Sequence, residues 1–183
     1  MTRPIIEQRT IFFLAVEGEG EQSFIKWLQW LSDRMGLHVH LDCQHLGGGG
    51  YKTMLDSTMR YRKHKGRNKA KASILLVDGD RAVARDDGWS LDQLREESAK
   101  EKISICIQNP NQEGLYLRMM PKNEHLQPSS TNAHSLLRKK WPAYQKPADA
   151  RTLDSKFSLD DLLRVARVDS ELRNLLMIVG LCS

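Results

Sequence analysis

Four short apolar runs, each bounded by polar residues, are the first pattern in this chain. Residues 11–16 and 74–77 are continuously apolar, which is typical of strands buried on both faces of a sheet. Residues 103–107 are nearly so, and residues 37–41 alternate apolar and polar positions, as a half-exposed strand does. The pattern therefore predicts four strands.

Helical periodicity occupies the gaps between these strands. Apolar residues recur at helical spacing over about residues 21–35, and Gly36 ends that predicted helix. A second helix is predicted over residues 51–59, and a third over residues 91–101 with Ser90 as its N-cap. Because strands alternate with helices, we expect an α/β fold with a mostly parallel, Rossmann-like four-stranded sheet flanked by helices.

The pattern changes after Pro110 to short helical segments that prolines interrupt. Residues 113–120 and 134–141 have helical spacing, Ser158 precedes an acidic first turn, and residues 172–179 resemble a final helix. We expect an α/β core over residues 1–125 and a helical C-terminal extension over residues 126–183. The extension is predicted to pack on the core, so that the two form a single structural domain.

Composition narrows the class of protein. The chain has 183 residues, of which 40% are hydrophobic and 28% charged, as in soluble globular proteins. We find no signal-peptide pattern and no apolar run near the roughly 20 residues of a membrane span, so no membrane association is expected. The three cysteines, Cys43, Cys106 and Cys182, form no CxxC pair. They are predicted to be reduced thiols in a cytoplasmic protein.

Carboxylates follow the two continuously apolar runs. Glu17 and Glu21 follow the first, and Asp78 and Asp80 follow the second on either side of Gly79. Ligands of open α/β sheets bind at the carboxyl ends of the strands. Like charges gathered there repel one another unless a cation lies between them, and Mg²⁺ prefers a few carboxylates and several waters. The sequence therefore predicts a Mg²⁺ or Mn²⁺ site, with helix capping and an exposed turn as the alternative.

Positive charge is concentrated in one run. The net charge is +5 and the pI is near 9.2. A block of like charge gains most from a polyanion, which predicts nucleic-acid binding, while a solvated loop stays an alternative. The candidate residues are Lys52, Arg60, Arg62, Lys63, Lys65, Arg67 and Lys69. A second basic cluster at residues 138–140, followed by Lys146, also favours phosphate binding.

Two other patterns fit known sites less well. Residues 47–53 end in Lys52-Thr53 like a P-loop, but that pattern needs glycine before the lysine and Tyr51 stands there. His38 and His40 would lie on one face of a strand, yet no cysteine pair or third spaced ligand supports zinc. We expect residues 47–53 to form a mobile loop that admits substrate. We expect His38 and His40 to lie on a solvent-facing strand edge.

The acidic motifs carry a resemblance to a known domain. Glu17-Gly18-x-x-Glu21 together with Asp78-x-Asp80, each after an apolar strand, resembles the metal site of TOPRIM domains. These domains occur in topoisomerases, primases and the overcoming-lysogenisation-defect (OLD) nucleases, and the EGxxE form resembles the nuclease branch. The resemblance implies that Glu17, Asp78 and Asp80 bind magnesium, and that Glu21 binds a second ion or acts as a general base.

Two further elements resemble the RloB-like family, small TOPRIM proteins of bacterial defence loci. An NPxxE element ends at Glu113, and Tyr144-Gln145-Lys146 resembles the family's YxK element. The resemblance implies that Glu113 supports the site and that Lys146 neutralises charge on the scissile phosphate or the leaving group. The chain departs from the family at Gln112, where an aromatic residue is usual, and at Leu115, where tryptophan is usual.

These resemblances imply a function. We expect a Mg²⁺- or Mn²⁺-dependent TOPRIM endonuclease that hydrolyses phosphodiesters of DNA or RNA as an effector of bacterial antiphage defence. A separate ABC- or SMC-like ATPase is the implied sensor partner, since this chain carries no ATPase motif, and self-association into a homo-oligomer stays open. One alternative is a TOPRIM-like module that binds nucleic acid or a partner without turnover. Another is a primase-type nucleotidyl-transfer domain, against which the lack of a zinc ribbon counts.

Overall fold

A computed structural model describes residues 8–64, 66–80 and 88–183. The four strands are β1 (Thr10–Val16), β2 (Val39–His45), β3 (Ala72–Asp78) and β4 (Ile103–Gln108). The described ranges contain eight α-helices and one 3₁₀ turn, Arg67–Lys69. The helices are α1 (Glu19–Arg34), α2 (Tyr51–Arg62), α3 (Leu91–Lys100), α4 (Gln112–Met119), α5 (Ser130–Lys140), α6 (Ala150–Lys156), α7 (Leu159–Ala166) and α8 (Ser170–Val179).

The sheet is entirely parallel and has the strand order β2-β1-β3-β4. The chain moves from β1 outward to β2 and then returns past β1 to β3. The strand order therefore reverses between β1 and β3, and the crevice at their carboxyl ends is where open α/β sheets bind ligands. Val16 is paired with Leu76, so Glu17 and Asp78 emerge at this crevice from neighbouring strands. The expected α/β class and parallel sheet are confirmed.

Alternate side chains of β1 face two separate hydrophobic clusters, which explains its unbroken apolar sequence. Phe12, Leu14 and Val16 pack against α1, α4 and the C-terminal helices. Phe13 and Ala15 pack on the opposite face, with side chains of α2, α3, β3 and β4. Both faces of the sheet are thus covered, and the crevice at the carboxyl edge lies between the two layers of helices.

Several element boundaries differ from the sequence-based expectations. β2 begins at Val39 rather than at residue 37, because the Leu37 amide donates to the Ser32 carbonyl and so belongs to the turn after α1. α2 continues into the basic run as far as Arg62. α6 was not predicted, since it has only two buried residues and its one clear signal is the Asp149 side chain, which caps it.

The described cysteines are free thiols. Burial is the main cause that raises the pKa of Cys43, to about 12, and burial likewise raises the pKa of Cys106. None of the described helices combines the length and apolar character needed to cross a membrane.

Candidate metal-binding and active site

The first acidic motif forms the junction between β1 and α1. Gly18 is the N-cap of α1, and its amide donates to Glu21 Oε2 over 3.0 Å, which folds the Glu21 side chain back over the helix end. The neighbouring loop holds the same segment, since the Gly48 amide donates to the Glu17 carbonyl over 3.2 Å. The Glu17 and Glu21 side chains are both buried. The EGxxE spacing therefore places two carboxylates on one turn of chain at the crevice.

The second acidic motif extends the pairing of β3 with β4 beyond the strands. The Gly79 amide donates to the Gln108 carbonyl and the Asp80 amide donates to the Pro110 carbonyl. A Cβ at position 79 would lie 3.2 Å from the Gln108 carbonyl oxygen, so this close turn favours glycine. Asp80 accepts a hydrogen bond of 3.2 Å from the Asn111 side chain. The turn therefore fixes Asp78 at the crevice and directs Asp80 toward Asn111.

Glu113, in the first turn of α4, adds a further acid to the two acidic motifs. It is only 2% exposed, and its Oε1 accepts hydrogen bonds from Lys146 Nζ at 2.7 Å and from the Tyr144 hydroxyl at 3.2 Å. Nδ1 of His134 lies 3.8 Å from the same oxygen. Burial opposes ionisation of Glu113, but the hydrogen bond and positive charge of Lys146 outweigh it and lower the pKa of Glu113. The NPxxE and YxK elements therefore meet in a charged contact.

These groups line one pocket with a volume of about 290 Å³. Of the six predicted catalytic residues, five line it: Glu17, Glu21, Asp78, Glu113 and Lys146. Asp80 is absent from the wall and lies beside it, held by Asn111. The structure thus gathers residues that are far apart in the chain, and it adds Gln112, Tyr116 and Tyr144 to the pocket wall.

The burial of Asp78 among other acids changes its pKa. Burial is the main cause that raises its pKa to about 9, and the charges of four neighbouring carboxylates raise it further. Those neighbours are Glu21, Glu17, Asp80 and Glu113. Burial, with the charge of Glu17, also raises the pKa of Glu21. Without a cation, the pocket therefore favours the protonated form of its central carboxyl.

The fit of this pocket to a divalent cation can be judged from Asp78. Its Oδ1 is buried and accepts no hydrogen bond from any described residue, which is costly for a carboxylate unless a cation lies beside it. The donors here are hard oxygens, as Mg²⁺ and Mn²⁺ prefer. Within residues 8–64, 66–80 and 88–183, however, no three His, Cys, Asp or Glu side chains are arranged to hold an ion. The residues thus fit an ion held by one or two carboxylates and several waters.

Lys146 is the cation at the rim of the pocket. Its side chain is 65% exposed, and its Nζ contacts Glu113. Partial burial lowers the pKa of Lys146, but the hydrogen bond to Glu113 and the charges of Glu113, Asp78 and Glu21 outweigh that effect and raise it. Lys146 is therefore a stable ammonium group that faces both the acids and solvent.

The two departures from the RloB-like pattern have a structural counterpart. Gln112 is buried and its amide donates to the Tyr116 hydroxyl over 2.7 Å, while Leu115 joins the larger hydrophobic cluster. Tyr144 packs edge-on against Tyr116, with 6.3 Å between the ring centroids, and donates to Glu113. Aromatic packing near Glu113 thus comes from residues 116 and 144 rather than from positions 112 and 115.

The described residues of the basic run after Lys52 lie at the opposite edge of the sheet from the acids, whereas Lys52 follows Tyr51, whose hydroxyl donates to the Asp78 carbonyl. The Lys71 amide donates to the Ile11 carbonyl at the start of β1, and Arg62 donates to the Glu101 carbonyl beyond the end of α3. Six residues of extended strand separate this edge from Glu17 and Asp78, a distance of about 20 Å. The run therefore does not line the acidic pocket.

The predicted nucleic-acid-binding residues differ in how they are held. Arg67 is largely buried, and its guanidinium donates to both carboxylate oxygens of Asp42 and to Gln44. Arg62 is paired with Glu101, and Lys52, on the first turn of α2, is paired with Asp56. Arg60, Lys63 and Lys69 are exposed, whereas Lys65 lies outside the described residues.

Sequence reasoning assigned no role to several groups at the pocket. Tyr144 had a signal, as the first residue of the YxK element, but its hydroxyl was not assigned. Asn111 had the signal of a helix cap, and its side chain both caps α4 and donates to Asp80. His134 had no signal, because only the packing of α5 on α4 brings it to Glu113.

Comparisons of the chain with family models, with curated proteins and with solved structures returned no match.

Proposed function

We propose that this protein is a TOPRIM-like nuclease that hydrolyses phosphodiester bonds of DNA or RNA with Mg²⁺ or Mn²⁺. The observation that carries the proposal is the gathering of carboxylates where the strand order of the sheet reverses, around the buried Oδ1 of Asp78, which accepts no hydrogen bond from any described residue. A buried carboxylate with an oxygen in this state lowers the stability of the folded protein unless a cation binds beside it. The motif resemblance then selects phosphodiester hydrolysis among the reactions of metal–carboxylate sites.

One or two of the carboxylates of Asp78, Glu17 and Glu21 would hold the metal, with waters as its other ligands and with Asp80 beside them. A bound divalent ion supplies a Lewis acid for a phosphoryl oxygen and lowers the pKa of a coordinated water. The carboxylates of the chain supply the negative charge that retains the ion. Glu21, whose pKa is raised, is also suited to accept the proton of an attacking water, because a raised pKa brings a carboxylate nearer to the working pH.

Lys146, which Glu113 holds in position, would stabilise negative charge on the substrate. Lys146 is exposed enough for its ammonium group to contact a phosphate oxygen at the rim. Its partner Glu113 is fixed by the Tyr144 hydroxyl, so the lysine is held near the acids before substrate arrives. Positive charge that is positioned in advance stabilises the charge that develops on a leaving oxygen.

The wider role of the protein is proposed from the motif resemblance alone. On that ground the nuclease would be an effector of antiphage defence that a separate ABC- or SMC-like ATPase controls. Co-purification of the chain with such an ATPase, encoded beside it, is the observation that supports this extension, and purification of a constitutively active nuclease without a partner contradicts it.

The test of the proposed function is cleavage of plasmid DNA and tRNA with Mn²⁺. We expect Asp78→Asn and Glu17→Gln to lower the cleavage rate by about a hundredfold or more, a typical loss when charge stabilisation of a transition state is removed. Glu96→Gln is the matched control, because Glu96 is an exposed acid on α3 away from the pocket. Cleavage that is unchanged in both pocket variants contradicts the assigned site.

A binding module without turnover is the second candidate function. The observation that favours it is that no three acidic or metal-binding side chains in the described ranges enclose an ion. This candidate predicts salt-sensitive nucleic-acid binding without cleavage, and no change in melting temperature when Mg²⁺ or Mn²⁺ is added.

A further inference from the structure

Nucleic acid that reaches the acidic pocket meets a cluster of negative charge. Glu17 and Glu21 would repel its phosphates, so cationic groups are needed close to the pocket. The basic run at the amino edge is about 20 Å away, which is more than twice the Debye length of about 8 Å at physiological salt. Its field is therefore largely screened at the pocket. The cations that guide a strand into the site must lie elsewhere.

Helix α5 presents polar and cationic groups beside the pocket. Its buried residues Ala133 and Leu137 anchor it to the core. His134 is adjacent to this buried stripe, with its ring centroid 5.9 Å from that of Tyr144 and its Nδ1 3.8 Å from Glu113 Oε1. The side chain of His134 is 45% exposed. One flank of α5 therefore borders the pocket and is open to solvent.

Arg138 lies on the same flank of α5 as His134. It lies four residues after His134, and side chains at this spacing are neighbours on a helix surface. Arg138 is exposed. Lys140 is exposed as well, but it lies on the other side of the buried stripe, where it lines a separate groove with Met119 and Lys156. Of the three exposed basic residues of the helix, Arg138, Lys139 and Lys140, Arg138 is the one that shares a flank with His134.

We propose that His134, Arg138 and Lys146 form a phosphate-binding track that leads a single nucleic-acid strand into the acidic pocket. The proposal rests on the proposed function and names its substrate class. Lys146 contacts the phosphate at the rim, and His134 and Arg138 contact successive phosphates outside it. A single strand fits better than a duplex because Glu17, Glu21 and Glu113 are recessed, at 8%, 7% and 2% exposure.

The test is fluorescence anisotropy with a labelled single-stranded oligonucleotide of about 20 nucleotides, long enough for a typical single-strand site. EDTA is present, so that binding is measured without turnover. Arg138→Glu is expected to weaken binding about tenfold and to reduce the slope of log K against log salt by about one, as the loss of one phosphate contact does. Arg138→Gln is expected to reduce the slope similarly, with a smaller loss of affinity.

Two matched controls make the test specific. Lys140→Glu changes the same charge on the other flank of α5, and Lys26→Glu changes it at an exposed residue of α1 outside the basic run. Each is expected to change affinity by less than about threefold. Losses equal to that of Arg138→Glu in both controls, or an unchanged affinity in Arg138→Glu, overturn the track. Tighter binding of the matching duplex than of the single strand overturns the substrate class. Circular dichroism spectra check that each variant is folded.

The outcome is separable from that of the proposed function. If Arg138→Glu loses affinity as expected but no divalent metal supports cleavage, the track stands and the nuclease proposal fails. If Asp78→Asn abolishes cleavage while Arg138→Glu binds and cleaves like the unmodified protein, the nuclease proposal stands and the track fails.

Discussion

The two edges of the sheet differ in how charge is arranged. Arginines of the amino edge are paired with acids: Arg67 with Asp42, in the middle of β2, and Arg34 with Asp154. The hydrogen bond from Arg34 lowers the pKa of Asp154, although burial opposes it. At the carboxyl edge, burial and neighbouring acids raise the pKa of Asp78. The comparison teaches that paired charge supports the fold at one edge, whereas unbalanced charge is kept at the other edge, where the proposed function needs it.

The largest expected effect is stabilisation of the carboxyl edge by metal. Mg²⁺ or Mn²⁺ at about 100 times its dissociation constant should raise the free energy of unfolding by about 2.7 kcal/mol, because the ion binds only the folded protein. Thermal melts with and without the ion measure this effect, with Ca²⁺ as a comparison. The shift should vanish in Asp78→Asn, and an equal shift in that variant would show that the ion binds elsewhere.

The next effect is the loss of a paired charge at the amino edge. Arg67→Met should lower the free energy of unfolding by about 2 kcal/mol, because the bonds to Asp42 and Gln44 are lost and a partly buried carboxylate is left without its cation. Lys69→Met is the matched control, since Lys69 is exposed, and it should cost less than about 0.5 kcal/mol. Urea denaturation measures both. Equal costs would mean that the pairing contributes nothing to stability.

A smaller effect of opposite sign is expected at Asp78 in the absence of metal. Because the pKa of Asp78 is raised to about 9, the folded protein holds a proton that the unfolded chain has lost. Its stability should therefore fall as the pH rises from about 4 to about 9. Asp78→Asn should remove this loss and be more stable than the unmodified protein at about pH 8. Denaturation in EDTA at about pH 5 and about pH 8 measures the difference, and a destabilised variant at the higher pH contradicts the assigned repulsion.

The smallest effect is expected at Asp154, and its pH dependence is reversed. The lowered pKa of Asp154 gives stability that is complete above the ordinary carboxyl pKa of about 4 and is lost as the pH falls through the lowered value. Asp154→Asn should cost about 1 kcal/mol at neutral pH, through loss of charged hydrogen bonds from Arg34 and Trp27. As the pH falls below the ordinary carboxyl pKa, the melting temperature of Asp154→Asn should converge with that of the unmodified protein. A difference that stays constant down to about pH 2 would exclude this cause.

The acidic edge was predictable from the sequence because local patterns determine it. β1 and β3 are unbroken apolar runs, and the parallel arrangement necessarily brings the residues after them together. The amino edge was less predictable. Arg67 was expected to bind nucleic acid, but its pairing with Asp42 and Gln44 depends on contacts across 25 and 23 positions of chain. His134 at the pocket and the late start of β2 depend in the same way on packing that periodicity does not encode.

The pocket is assembled from both halves of the chain, so its residues leave the ribosome at different times. A ribosome that has released residues 1–120 has delivered all of the clustered acids, but neither Tyr144 nor Lys146, the two groups that donate to Glu113. Since protein is synthesised from its N-terminus at about 5–20 residues per second, the acids precede their counter-charge by seconds. The nascent chain therefore carries an incomplete site, and the lysine proposed to contact the phosphate joins it last.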